Sequence, residues 1–198
     1  MEYSYKFRIY PSTEQQTLIQ KTFGCARFVY NHFLAQRISE YKATGKAPTR
    51  FQQDKALTVL KQELKWLREP DKCALQNALK DLDTAYKNFF RSVKGGGKVG
   101  FPKFKSKRDR YKSYKTNSNI AVFERQVRLP KLGLVKCRIS KEVKGRILSA
   151  TVSQAPSGKY FVALCCTDVE IEPVPSTGAA VGLDMGIKSF AVTSDGVK

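Results

Sequence analysis

Asp184 stands between Gly182 and Gly186 in the stretch "VGLDMGIKSFAVTSDG". Val181 to Asp184 reads as a buried strand, "SFAVT" as a second, and Ser194, Asp195 and Gly196 as a hairpin turn into a third. A carboxylate in that place has three chemistries open to it. It can hold one or two Mg²⁺ ions that activate a water and stabilise the leaving oxygen in phosphodiester hydrolysis, with the flanking glycines letting backbone and substrate come close. It can belong to the phosphate loop of an ATPase, which also combines an Asp, a Gly and a hairpin ending in "DG". It can be a buried Asp satisfied by backbone donors. The motif by itself leaves all three open.

A second group of residues could recognise rather than react. Lys72 and Gln76 lie one turn apart at a helix start, and both carry donors suited to base edges. At about 100° per residue, Gln76, Lys80, Lys87, Arg91 and Lys94 fall in one narrow stripe, with Asp81 off it, and a row of cations on a helix can track a phosphate backbone. Residues 91–115 hold ten Lys or Arg against Asp109 alone. Lys98, Lys103, Lys105, Lys107, Arg108 and Arg110 there interleave with Phe101, Phe104, Tyr111 and Tyr114, cations for phosphates and rings for stacking. The candidate nucleic-acid contacts run on to Thr116 and Asn117.

Composition agrees with a polyanionic partner. Lys plus Arg number 36 against 17 Asp plus Glu, a net charge of +19 over 198 residues, which favours nucleic acid first and an anionic membrane surface second. The longest apolar run, "YFVALCC", is far short of the roughly 20 residues that span a bilayer, and "MEYSYKFRIY" lacks the core of a signal peptide, so a cytoplasmic location is expected. Five cysteines without a CxxC pair point neither to disulfides nor to a zinc knuckle. Cys165 and Cys166, adjacent on a strand, should face opposite ways. The single histidine, His32, has no partner at ligand spacing.

These residues need elements to place them. Tyr3, Tyr5, Phe7 and Ile9 alternate with polar residues as in a half-buried strand. A Ser12/Gln15 capping box then opens a long helix of about 12 to 43, and Thr49/Gln52 opens a second that halts before Pro70. Asp71 caps a third, whose core face is Leu75, Ala78, Leu79, Leu82, Ala85, Tyr86, Phe89, Phe90 and Val93, closed by Gly95 to Gly97. From about 120, short strands predict an antiparallel sheet or barrel. The lone first strand should join it, which makes the helices an insertion into a β domain. "EIEPVPSTGAA" reads as a linker.

In order along the chain, "KFRIYPSTEQQTLIQKTFGCARFVYNHFLAQR", "DKCALQNALKDLDTAYKNFFRSVK", "VGFPKFKSKR", "VRLPKLGLVK" and "VGLDMGIKSFAVTSDG" resemble TnpB-type proteins of the OrfB family, transposon-encoded RNA-guided nucleases related to type V CRISPR effectors. The resemblance covers the whole length. It implies an α+β fold: a wedge β-barrel split between 1–10 and 118–178, a helical recognition domain with a basic linker at 11–117, and the start of a RuvC, ribonuclease H-like domain at 179–198. It implies a guide RNA and a target DNA duplex as partners, no membrane, and a monomer in the RNA–protein complex of a prokaryotic cell. Asp184 matches the family's first catalytic, Mg²⁺-binding acid, and "DKCALQN" lies where the family reads a target-adjacent motif. The remaining acids and the zinc-binding CxxC pairs are expected only in a further C-terminal part, so this chain alone is expected to bind without cutting. The competing reading is a non-catalytic RNA- or DNA-binding accessory or repressor protein of a transposon.

Overall fold

The computed structural model describes residues 1–97, 100–170, 178–187 and 189–196. Strand β1 (Tyr3–Tyr10) buries Tyr5, Phe7 and Ile9 and leads at Pro11 into helix α1 (Thr13–Thr44). Helices α2 (Arg50–Glu63) and α3 (Lys72–Lys94) follow, with a 3₁₀ turn (Lys65–Arg68) between them. Both capping boxes form as expected: Ser12 with Gln15 and Thr49 with Gln52 exchange side-chain and backbone bonds. Asp71 does occupy the N-cap of α3, but its side chain makes no cap bond and instead accepts from Thr116 Oγ1 at 2.6 Å.

The remaining strands are β2 (Lys112–Thr116), β3 (Ala121–Phe123), β4 (Gln126–Leu129), β5 (Gly133–Arg138), β6 (Arg146–Gln154), β7 (Tyr160–Thr167), β8 (Leu183–Asp184) and β9 (Val192–Thr193). The first seven strands form one antiparallel sheet in the order β2-β6-β7-β1-β5-β4-β3. As the unpaired first strand required, β1 enters the sheet, pairing with β7 from Tyr3 opposite Cys166 to Ile9 opposite Tyr160 and with β5 on its other side. The basic segment before residue 118, expected as a linker, contributes strand β2, which pairs with β6 over five residues.

The expected barrel is not formed. Among the described residues no ladder joins β2 to β3, so the sheet is open. Its ends are nevertheless near each other, because the five Cα steps from Thr116 to Ala121 reach at most about 18 Å. The free edge of β2 is met by a helix instead: Asn77 of α3 donates from Nδ2 to the Lys115 carbonyl at 2.8 Å and to Asn117 Oδ1 at 2.6 Å. A side chain that satisfies an edge carbonyl protects the edge.

Two apolar clusters lie along α1. Ile19 and Phe23 from its first half join the inward side chains of the sheet, with Phe23 edge-on to Tyr114 at 5.7 Å. Val29, Tyr30, Phe33 and Leu34 from its second half pack with Leu57, Leu67, Leu75, Leu79 and Leu82. One long helix thereby fixes the helical unit to the sheet. The expected core face of α3 is fully buried as far as Leu82 and continues half-buried through Ala85, Tyr86 and Phe89, with Tyr86 against the helical cluster, but Phe90 is 55% and Val93 58% exposed. Cys166 is buried and Cys165 half-buried, on opposite faces as the alternation required. Burial pushes the Cys137 thiol up to about 11, which leaves it an inert core group.

The segment after α3 is held in place. Asn31 brackets it with two bonds, Nδ2 to the Lys105 carbonyl at 2.9 Å and the Lys105 amide to Oδ1 at 2.8 Å. Lys105 Nζ sits 4.3 Å from the Tyr30 ring centroid, Pro102 is buried, and Ser106 and Asp109 close a turn through a 3.0 Å bond. Replacing Asn31 with Ala should speed tryptic cleavage between 103 and 111 and cost about 1–2 kcal/mol for the two lost bonds, with amide exchange of β1 and β7 unaltered. Cleavage at the parental rate would show that the bracket does not hold the loop.

A partly buried ion pair ties α1 to α3. Arg37 Nη2 lies 3.4 Å from Asp83 Oδ1, and Lys87 Nζ 2.9 Å from Asp83 Oδ2. Burial of Asp83 opposes its charge, but the hydrogen bond and charge of Lys87 and then Arg37 outweigh it and hold the carboxyl below its ordinary 3.8. A depressed folded value means stabilisation that is complete above the ordinary value and lost as pH falls through the folded one. Asp83→Asn should therefore lower unfolding free energy by about 1–2 kcal/mol at pH 7, and the gap from the parent should close below about pH 4 in urea titrations. A gap that stays constant down to pH 3 would contradict this pairing.

Candidate nucleic-acid interface

The 23 residues of α3 form a rod roughly 33 Å long. Lys72, Gln76, Lys80, Lys87, Arg91 and Lys94 are all exposed along it. Lys87 is partly neutralised by Asp83, and Arg91 is oriented by Asn88, whose Oδ1 accepts from Nη2 at 3.0 Å. At the N-terminal end of α3 the helix is docked on the link between β2 and β3. Cys73 Sγ lies 3.2 Å from Ser118 Oγ, and Asn77 holds Asn117. Lys72 and Gln76 each precede one of these anchors by one residue, so they and exposed Asn117 flank the same seam.

The pinned segment adds a second row. Lys103, Phe104, Lys105, Lys107, Arg108, Arg110 and Tyr111 are exposed, with Phe104 58% and Tyr111 79% accessible. Between this row, α1, α3 and β2 lies a cleft of about 190 Å³, whose wall includes Arg27, Asn77, Asp81, Lys105, Tyr111 and Lys115. Loss of surrounding water pushes the Asp81 carboxyl up, against the pull of Lys105, Lys115 and Lys80. On that wall Arg27, Lys105, Lys112 and Lys115 outnumber Asp81 and Asp109.

Two sequence-derived candidates sit otherwise. Tyr114 is 7% exposed and packs in the sheet core, so its ring is no stacking platform. Thr116 is 1% exposed, with its hydroxyl committed to Asp71, because β2 alternation turns both residues inward. Lys98 lies outside the described residues.

Asp184 pairs opposite Val192 in the β8–β9 hairpin and is exposed, not buried as its strand reading required. Leu183, Met185, Ile187 and Phe190 are also exposed, since a two-stranded hairpin has no second layer to cover its apolar side. No group of three His, Cys, Asp or Glu able to hold a metal occurs among the described residues. One carboxylate does not make a Mg²⁺ site. His32 is exposed, its ring 5.6 Å from that of Phe28.

A further cationic surface was missed in the sequence. On the outer face of the sheet Lys6, Arg8, Arg128, Lys136 and Arg138 point away from the core, and Arg8 is directly opposite Arg138. Like charges in register are unfavourable without an anion to share. The signal was present in "KFRIY", whose outward residues are Lys6, Arg8 and Tyr10, but the register that adds the β5 cations was not.

Comparison with known proteins agrees with the sequence resemblance. Residues 1–46 match the helix-turn-helix domain of IS605-type OrfB proteins, although here they hold a strand and one unbroken helix. The chain is 32% identical over 197 residues to "Putative RNA-guided DNA endonuclease InsQ" of Escherichia coli K12, covering 98% of this chain and 47% of that protein. It is 35% identical over 208 residues to a "Putative RNA-guided DNA endonuclease" of Streptomyces pristinaespiralis, covering 98% and 48%. Over 111 residues it is 33% identical to "Virulence protein VsdF" of Salmonella dublin, covering 52% of this chain and 91% of that protein. The chain thus spans about half the length of the two endonuclease-named relatives. No helix of the described residues is long and apolar enough to cross a membrane. With five ordered motifs, the matched N-terminal domain and near full-length likeness to these relatives, the chain belongs to the TnpB-type (OrfB) protein family.

Proposed function

We propose that this chain is the nucleic-acid-binding part of an RNA-guided DNA endonuclease, with a guide RNA and a target duplex as its partners. The observation that carries the reading is the pair of exposed basic rows on α3 and on the pinned segment 103–111, on a family whose relatives are named for RNA-guided DNA cleavage. In this reading the open seven-stranded sheet is the wedge, the helices are the recognition unit, and Lys72, Gln76 and Asn117 at the α3–β2 seam contact the target-adjacent motif. Guide pairing selects the sequence while the protein holds backbone and motif.

The test of the binding face is the salt dependence of affinity for a structured RNA. Charge reversal of Lys103, Lys105 and Lys107 together should flatten the slope of log affinity against log salt by roughly two to three units, since each phosphate contact contributes about 0.9 for duplex and 0.7 for single strands. An unchanged slope would remove the segment from the interface.

We further propose that Asp184 is one carboxylate ligand of a Mg²⁺-dependent, RuvC-like nuclease site whose other acids the described residues do not supply. The exposed apolar side of β8–β9 supports this, being the kind of surface that a larger sheet would cover. In a longer protein that completes the site, Asp184→Ala should abolish DNA cleavage and leave guided binding intact. Cleavage that persists in that variant would withdraw the assignment.

A further inference from the structure

The C-terminal half of α3 turns rings, not only charges, to solvent. Tyr41 is 61%, Phe90 55% and Phe101 46% exposed, and together with Ile38, Tyr86 and Phe89 they line a groove of about 660 Å³ between the ends of α1 and α3. Tyr86 and Phe90 are nearly parallel, with an interplanar angle of 28°, while Phe101 stands edge-on to Tyr86 at 89° and to Phe89 at 80°. The rings form a right-angled corner against which a flat heterocycle could lie. Exposed apolar rings rimmed by charged side chains are the pattern of an interaction surface.

Two independent features identify the kind of occupant. First, the rim is cationic. Arg37, Lys42 and Lys87 line the groove, its acid Asp83 is already paired with Arg37 and Lys87, and exposed Arg91 and Lys94 continue along the same helix. Second, Arg37 is short of an acceptor. Its side chain is 10% exposed, Nε donates to the Pro48 carbonyl, Nη2 reaches Asp83, and the guanidinium lies 4.6 Å from the Tyr86 ring centroid. Nη1 is buried with no hydrogen-bond partner among the described residues. A buried donor without a partner is costly, and a small shift of the side chain toward the groove that it lines would bring Nη1 to a ligand acceptor.

Flat rings, base-edge acceptors and a polyanionic backbone occur together in a nucleic-acid strand with unpaired bases. We infer that the groove between α1 and α3 is a stacking site for one or two unpaired nucleotides of a bound strand, whose phosphates follow Lys87, Arg91 and Lys94. A paired duplex cannot use it, because its bases already stack on each other. The inference rests on the nucleic-acid reading above and adds single-strand selectivity at a second place on the protein, away from the α3–β2 seam.

The test measures affinity and salt slope of the full chain for a single-stranded RNA and for a duplex of equal length. The variants are Tyr41→Ala with Phe90→Ala, and separately Phe90→Leu and Phe90→Trp. Stacking releases no counterions, so the double variant should lose about tenfold in single-strand affinity at unchanged salt slope, with duplex binding unaltered. Phe90→Trp should retain the affinity. Phe90→Leu, which keeps the bulk and apolar character but not the aromatic face, should lose it and guards against a mere folding defect. Equal single-strand affinity in all variants, or full affinity with Leu, would overturn the stacking site. Self-association of the parent that vanishes in the double variant would overturn it too, by naming a second copy as the occupant. If no RNA binds with a salt-dependent slope in the parent, the general nucleic-acid reading fails; a parental slope with unresponsive ring variants sinks only the groove.

Discussion

The arrangement depends on one long-range contact, the antiparallel pairing of β1 with β7. Seven residues at the N-terminus lie against residues 160–166, and the same strand pairs on its other edge with β5. Loop-closure entropy opposes joining segments so far apart, and what offsets it is burial of Tyr5, Phe7 and Ile9 in the sheet cluster. Once β1 is in the sheet, the three helices can only be an excursion that leaves at Pro11 and returns at β2. Their first half-helix, Ile19 and Phe23, must then lie in the sheet core.

That excursion decides where the charge goes. Because α1 reaches from one apolar cluster to the other, α3 is held against β2 at its N-terminal end and against α1 at its middle, which leaves its cationic side outward along its length. The basic segment that follows is laid back across α1 by Asn31 and is not free to swing. A surface of this kind meets a polyanion with its cations already spaced, so less ordering entropy opposes binding than for a flexible basic tail. The ion pair of Arg37 and Asp83 serves the same end by fixing the second half of α1 to α3, although it leaves Nη1 of Arg37 without an acceptor.

Local signals in the sequence were strong wherever a side chain meets its own backbone or repeats with a period. Ser12/Gln15 and Thr49/Gln52 announced two helix starts, and the alternation of Tyr5, Phe7 and Ile9 announced a strand. What could not be read were choices made by partners far along the chain. Lys112–Thr116 looked like more of the basic segment because Tyr114 and Thr116 acquire their inward direction only from β6 and α3. Asn77 carries no sequence mark as the group that meets a sheet edge, and without it an open sheet could not be told from a barrel. The outward cations of the candidate face were legible from helical spacing alone, whereas Asn31 and the opposition of Arg8 to Arg138 required tertiary register. Asp184 was recognised by motif, but its exposure reflects the two-stranded hairpin it sits in.

The central claim is that the outward side of α3 and the pinned segment together receive nucleic acid. Photochemical crosslinking of a bound structured RNA, with the attached peptides located by mass spectrometry, addresses it directly. Crosslinks should concentrate on Phe104, Tyr111 and the exposed lysines of α3 and 103–107, and should disappear first as salt is raised. A complex whose crosslinks fall elsewhere, with α3 and residues 103–111 unlabelled, would contradict the account.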